Sequence, residues 1–452
     1  MTSFSLNGYE IAGLAVLAYA VVVYGLWRLG WIGRDRPISL LGPALMIKTK
    51  RGRDFIDRVG RRVRVWSIAG DIAIVLAAIT MAAMVVLLLV DAVLSFGLSA
   101  SQAPSAQEAL GIPGINPIIP IGYGIVALII GVALHELFHG FVARSQKIGV
   151  KSLGVLWCVV PVGAFVEQND EDMEGASRRR RDRVAAAGVL ANFILAFVCI
   201  VILSALVASS VAPNANGVGV VGTIGGSPAA VTGIGAGSII VSVNGTPTTT
   251  NLALQNALEA IPPNTPVPIV YFSPTTNGFV TSTVRLEPLS NYTGNPADAD
   301  KGFLGVSLSY LTPTQLAQTL VNPLTSGPNP LAGAVNWLVL PIAGLSPIAG
   351  GPQEFFHFTG PLAGADPGST WIWLNLVYWL AWMNFLLGAS NALPLIPLDG
   401  GLLVRDYAMS VAARFKRGWA TARLEAFGGS VAVASSLVVV LLIVWQFVVP
   451  RL

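Results

Sequence analysis

Two histidines and one glutamate, His135, Glu136 and His139, stand in "GVALHELFHGFVA", residues 131–143. The whole chain has 3 histidines, so most of its imidazole is gathered in one short stretch. Residues four apart lie on one face of a helix, where both rings can reach one metal ion. Glu136, next to the first ring, can take a proton from water polarised by that ion. The pattern predicts zinc-assisted hydrolysis, with His135 and His139 as ligands and Glu136 as base. The surrounding residues are apolar enough for a membrane span, where ionisable groups are costly and are paired or functional. The plain alternative is three polar side chains facing a bundle interior with no metal.

Two imidazoles leave zinc short of a third protein ligand. His357, in "QEFFHFTG", falls outside the predicted spans and reads as a loop-surface histidine. Glu167 is followed by the acidic run "QNDEDMEG", which reads as a solvated loop. Asp399 is the better candidate. It stands in "NALPLIPLDGG", residues 391–401, where Pro394 and Pro397 end a late apolar run. Each proline breaks helical hydrogen bonding. Irregular backbone at membrane depth is tolerated only where it is buried or lines a cavity. An aspartate followed by Gly400 and Gly401 can therefore be brought inward. The plain alternative is a helix end with a capping aspartate. Cys158 and Cys199 lie in apolar runs with no C-x-x-C spacing, and read as buried free thiols.

These residues need a scaffold, and composition names its class. Of 452 residues, 54% are hydrophobic and 11% charged, against roughly 25% charged in soluble chains. That predicts an integral membrane protein with lipid as its surroundings. The net charge of +4 is clustered beside apolar segments, which is membrane topology and not a nucleic-acid surface. Runs long enough to span, about 20 residues each, fall at 9–28, 68–95, 120–143, 184–209, 369–391 and 428–449. The first has no basic segment before it and no cleavage signal after it, so it reads as a retained span. Pro341 and Pro347 interrupt 331–350, which reads as re-entrant or interfacial.

Lysine and arginine set the orientation. The basic stretch from Lys48 to Arg64, "SRRRRDR" at 177–183, and Arg405 to Arg423 are expected in the cytoplasm. Residues 210–330 carry only Arg285 and Lys301 and are expected outside. His135 then lies roughly 22 Å into a core about 30 Å thick, nearer the cytoplasmic side. "SLGVLWCVVPVGAFV", 152–166, is too broken to span and rich in β-branched residues, and reads as a re-entrant hairpin close to the site. Its edge is expected to pair with an extended substrate strand. Residues 210–330 read as an inserted soluble domain, with an Asn244-Gly245 turn, a helix over 251–261 capped by Asn251, and a Pro/Gly-rich linker over 291–330.

"HELFHG" in an early span, "NALPLIPLDGG" in a late one and a small domain between them resemble the site-2 protease family of intramembrane zinc metalloproteases. The likeness extends through "VPVGAFVEQNDEDMEGASRRRRDRVAAAGVLANFILA", 160–196, with Val189 where the family usually has proline and with Gly188 and Asn192 retained. The resemblance implies one zinc ion per chain held by His135, His139 and Asp399. It implies Glu136 as base and later proton donor, and Asn192 lining the site near the substrate carbonyl or oxyanion. Residues 222–261 look like a PDZ domain, with Ser238 where an aspartate is typical, acting as a size filter or as a receptor for free chain ends.

The expected architecture is a polytopic α-helical membrane protein with about six spanning helices, a short re-entrant β segment and an inserted α+β PDZ-like domain. Residues 1–118 hold the N-terminal spans and basic loop, 119–209 and 331–405 the two halves of the zinc-site core, 210–330 the insert and linker, and 406–452 a basic loop and last span. The expected activity is an intramembrane zinc endopeptidase that cleaves transmembrane segments of membrane proteins. A zinc transporter or metal sensor is the rival from another class. A prenyl-protein type protease is a second, although it takes a glutamate as third ligand.

Overall fold

The computed structural model describes residues 8–33, 36–105, 107–108, 111–345 and 351–452. Contacts divide the chain into two compact units, one of residues 1–111, 124–196 and 383–452, the other of 112–123 and 197–382. The first helix, α1, runs over Gly8–Arg28. Among the described residues, five helices are long and apolar enough to cross a membrane. They include α2 (Val63–Leu94), α3 (Ile121–Ser145) and α4 (Arg178–Ser210). The apolar part described in α1, Gly13–Arg28, falls short of that length.

In the first unit, α2 and α4 meet through small side chains. Ala73 and Ala77 pack with Ala186, Val189 and Leu190, and Ala392 closes the cluster. Small residues let helix backbones approach, which is how helices associate in lipid. Val189 is fully buried inside unbroken helix, where a proline would remove a backbone donor. Asp71 of α2 receives Arg179 at 2.9 Å and Arg183 at 2.7 Å, both from α4.

The same unit holds a four-stranded antiparallel sheet. Strands β1 (Ile38–Leu41), β2 (Ala44–Thr49), β3 (Val150–Cys158) and β4 (Val160–Gln168) follow one another in that order. The hairpin expected over 152–166 is therefore present. The stretch before α2 is more than the expected basic loop. Its "ISLLGPALMIKT" folds into β1 and β2 around Gly42, which sits at φ 57°, and β2 covers the edge of β3. That leaves β4 at the end of the sheet.

The second unit contains an α+β body. Its sheet runs β8-β7-β6-β5-β9, with β5 Val218–Thr223, β6 Ile239–Val243, β7 Pro266–Ser273, β8 Gly278–Arg285 and β9 Val306–Leu308. Helix α5, Asn251–Glu259, buries Leu254 and Leu258 against Val220, Ile240, Ile269 and Leu304. Asn244 and Gly245 make the tight turn after β6, at φ 50° and 77°. Two expectations need correcting. The cap of α5 is Thr250, whose hydroxyl accepts from the N–H of Ala253, while Asn251 donates instead to the Ser309 carbonyl. The stretch 291–330 is not a plain linker, because β9 pairs with β5 and Leu304 is fully buried.

Beyond this body, helix α6 covers Pro330–Val339, 10 residues, half of what a span needs. Pro347, in the stretch expected to be re-entrant or interfacial, lies outside the described residues. The remaining helices are α7 (Pro367–Asn391), α8 (Asp399–Phe415) and α9 (Thr421–Val448), of which α7 and α9 meet the spanning criterion.

Candidate metal centre

Helix α3 carries a buried stripe at every fourth residue: Ala127, Gly131, His135, His139 and Ala143. The stripe is the face along which α3 meets its neighbours. At Gly131 an added Cβ would come within 2.6 Å of the Asn384 side-chain oxygen on α7, so only glycine admits that approach. The two histidines continue the same face inward and are each 6% exposed. An amphipathic pattern of this kind places polar rings in the interior only if they have partners there.

The opposite wall comes from the break between α7 and α8. Helix α7 ends at Asn391, Pro394 and Pro397 follow, and Asp399 opens α8. Gly400 and Gly401 make the break compact. A Cβ at Gly400 would overlap the carbonyls of Ala392 and Leu393, and one at Gly401 would sit 2.8 Å from the Leu395 carbonyl. The unwound segment thus folds back on the first turn of α8 and delivers Asp399 to the rings. Its Oδ2 lies 3.3 Å from His135 Nε2, and its Oδ1 lies 3.5 Å from His139 Nε2.

These spacings suit a bound cation. His139 Nδ1 is 2.7 Å from the Val184 carbonyl, an acceptor only, so that nitrogen bears the proton. In the neutral ring Nε2 then turns its lone pair toward a carboxylate oxygen, a setting that a cation between them would satisfy. Asp399 Oδ2 is buried and forms no protein hydrogen bond. Two ligands about 2.0–2.2 Å from a tetrahedral zinc ion stand about 3.4 Å apart. The chemistry of the donors and their separations therefore fit zinc.

Glu136 is half-buried beside the rings, and one atom of each of His135, Glu136 and His139 falls within 4.8 Å of the others. The Glu136 carboxylate is also engaged on another side. Its Oε2 accepts the backbone N–H of Val166 on β4 at 2.9 Å. Asn192 of α4 is fully buried, with its side-chain nitrogen 3.0 Å from His135 Nδ1. All five expected residues meet at one place. The other two candidates do not join them. Glu167 pairs with Lys48 at 3.1 Å and accepts from the Ser152 hydroxyl at 2.5 Å. Burial alone would raise its carboxyl, but Ser152 and Lys48 hold it below the ordinary carboxylate range. His357 is exposed in the second unit, on a short strand paired with Val211–Pro213, with Nδ1 2.8 Å from Asn214 Oδ1. Two groups of the site were not visible in the sequence, the Val166 N–H and the Val184 carbonyl, because both are backbone atoms. Gly188, retained with Asn192 in the family resemblance, sets its bare Cα against the His135 ring.

Long apolar helices around a zinc-type hydrolytic site define a membrane metallopeptidase. The family model for Peptidase family M50 matches residues 123–435, well over half of the chain, and the chain belongs to that family. The uncharacterized protein MJ0971 of Methanocaldococcus jannaschii is 34% identical over 160 residues, which cover 35% of this chain and 42% of that protein. Zinc metalloprotease Rip1 of Mycobacterium tuberculosis is 26% identical over 335 residues, covering 61% and 82% of the two chains. Rip1 of Mycolicibacterium smegmatis is 27% identical over 350 residues, covering 62% and 84%.

Proposed function

We propose that this zinc metalloprotease is an intramembrane endopeptidase, cutting transmembrane or membrane-adjacent segments of other membrane proteins. One observation carries the reading: an aspartate from a proline-broken segment stands at zinc-ligand spacing from two imidazoles of an apolar, span-length helix. His135, His139 and Asp399 hold the ion. When bound, zinc polarises a water and the scissile carbonyl. Glu136 takes the water's proton on Oε1, since Oε2 is held by Val166, and passes it to the departing nitrogen. The distribution of lysine and arginine supports a site nearer the cytoplasmic side and an extracytoplasmic stretch at 210–330.

Substrate is held as a strand along β4. A peptide bond in a helix is shielded by its own hydrogen bonds, so the segment must be extended to be cut. Val166 turns its N–H away from β3 toward Glu136, and Ala164, two residues along, faces the same way. Beside Ala164 an apolar pocket of about 160 Å³, lined by Leu128, Val132, Ala133, Val155 and Gly163, suits a substrate side chain.

The PDZ-like insert acts as a receptor as well as a filter. A groove of about 230 Å³ runs between α5 and β9, lined by Leu254, Leu258, Phe303, Val306 and Leu308. Strand β9 ends its sheet, so a peptide can add to it there.

The test of the activity is Glu136→Gln with zinc content and cleavage measured on one preparation. A protease keeps its zinc and loses cleavage. A transporter built on the same ligands keeps its flux, and that result sinks the reading.

A further inference from the structure

Helix α4 offers three groups, each one turn from the next, to the two imidazoles. The Val184 carbonyl faces His139 Nδ1 at 2.7 Å, and the Asn192 amide faces His135 Nδ1 at 3.0 Å. Between them, Gly188 lies flat under the His135 ring, and an added Cβ would overlap the ring atoms. We propose that this stripe fixes the tautomer and tilt of both rings, and that Asn192 is a positioning residue for His135 acting through its side-chain oxygen. The proposal rests on the reading of His135, His139 and Asp399 as zinc ligands.

The argument is one of proton accounting. A ring that gives its Nε2 lone pair to zinc carries its proton on Nδ1, and that N–H needs an acceptor. His139 has the Val184 carbonyl. His135 has Asn192 beside it, whose oxygen and nitrogen are told apart by hydrogen bonding and not by shape. With the amide nitrogen toward the ring, a donor meets a donor, and Asn192 Oδ1 is left buried without a protein partner. Turning the amide by half a rotation removes the donor–donor clash, giving His135 Nδ1–H an oxygen acceptor. The amide nitrogen then takes the place of the orphaned oxygen and is free to donate to a peptide carbonyl. Gly188 keeps the ring close enough for this contact, because any side chain there would push it off α4.

The test uses the full chain in lipid nanodiscs, with zinc affinity read by competition against a chromophoric chelator and kcat and KM read separately. Asn192→Leu should weaken zinc about 10–100-fold, the usual loss when a ligand's hydrogen-bond partner is removed. Asn192→Asp, which keeps an acceptor, should hold zinc within about threefold of the parent, and Gly188→Ala should weaken it about tenfold or more. Zinc bound as tightly by Asn192→Leu as by the parent, with only kcat reduced, would assign Asn192 to substrate alone and overturn the proposal. Equal weakening in the Leu and Asp variants would overturn it too. His135→Ala is the control: if that variant still holds zinc at parental affinity, the ligand reading itself is at fault, a result distinct from either of the others.

Discussion

The backbone N–H of Val166 donates to the Glu136 carboxylate at 2.9 Å, so the proposed base is fastened to the last strand of a sheet. The strand that orients the base also lies at an edge of that sheet. Ala164→Pro removes an outward N–H without touching the β3–β4 ladder, since proline is tolerated at a sheet edge. Turnover of a membrane substrate should fall at least about tenfold, worth 1.4 kcal/mol or more, with zinc content unchanged. Unaltered turnover would show that substrate does not pair along β4.

Asp399→Ala removes the carboxylate that sets one oxygen against each ring. Zinc measured by mass spectrometry after dialysis should fall from about one ion per chain to a small fraction of that, because two imidazoles alone make an incomplete site. A variant that retains its full zinc would place the third donor elsewhere.

Gly131→Val sets a branched side chain where a single Cβ already comes within 2.6 Å of Asn384. Overpacking of this kind costs about 1–3 kcal/mol. Thermal unfolding in detergent should therefore shift downward, whereas Gly122→Val, at a position with no heavy atom near its Cβ, should not shift it.

Acid should loosen the sheet through Glu167. Its carboxyl is held below its ordinary value of 4.5, so the Lys48 and Ser152 contacts stabilise the fold above that pH and are lost as pH drops through the lower folded value. Protection of β3 and β4 amides, corrected for the intrinsic pH dependence of exchange, should fall as pH drops below about 4.5 in the parent. Glu167→Gln should exchange faster at neutral pH and show a flatter acid response; an identical profile in the two proteins would remove Glu167 from the account.

Much of this molecule was legible because lipid makes strict demands. Apolar runs of span length had to be helices, and His135, Glu136 and His139 within one of them had to have a purpose. Asp399 was legible because two prolines break the apolar run before it and two glycines follow it. The strands were harder. The apolar pairs of β1 and β2 lie among arginines and lysines that dominate the reading as a loop. Strand β9 has three residues, too few for a periodicity, and Val306 and Leu308 are only partly buried against the core. The cap of α5 fell one residue early because threonine and asparagine adjoin, and either can serve. Val166 and Val184 act through backbone atoms, which leave no mark on residue type.

The stripe of Val184, Gly188 and Asn192 belongs to a helix that owes its packing to alanines and leucine touching no ion. Small zinc domains collapse when stripped of their ion; a helix packed this way should instead hold its fold when the site is emptied, and metal removal should lower thermal stability only modestly.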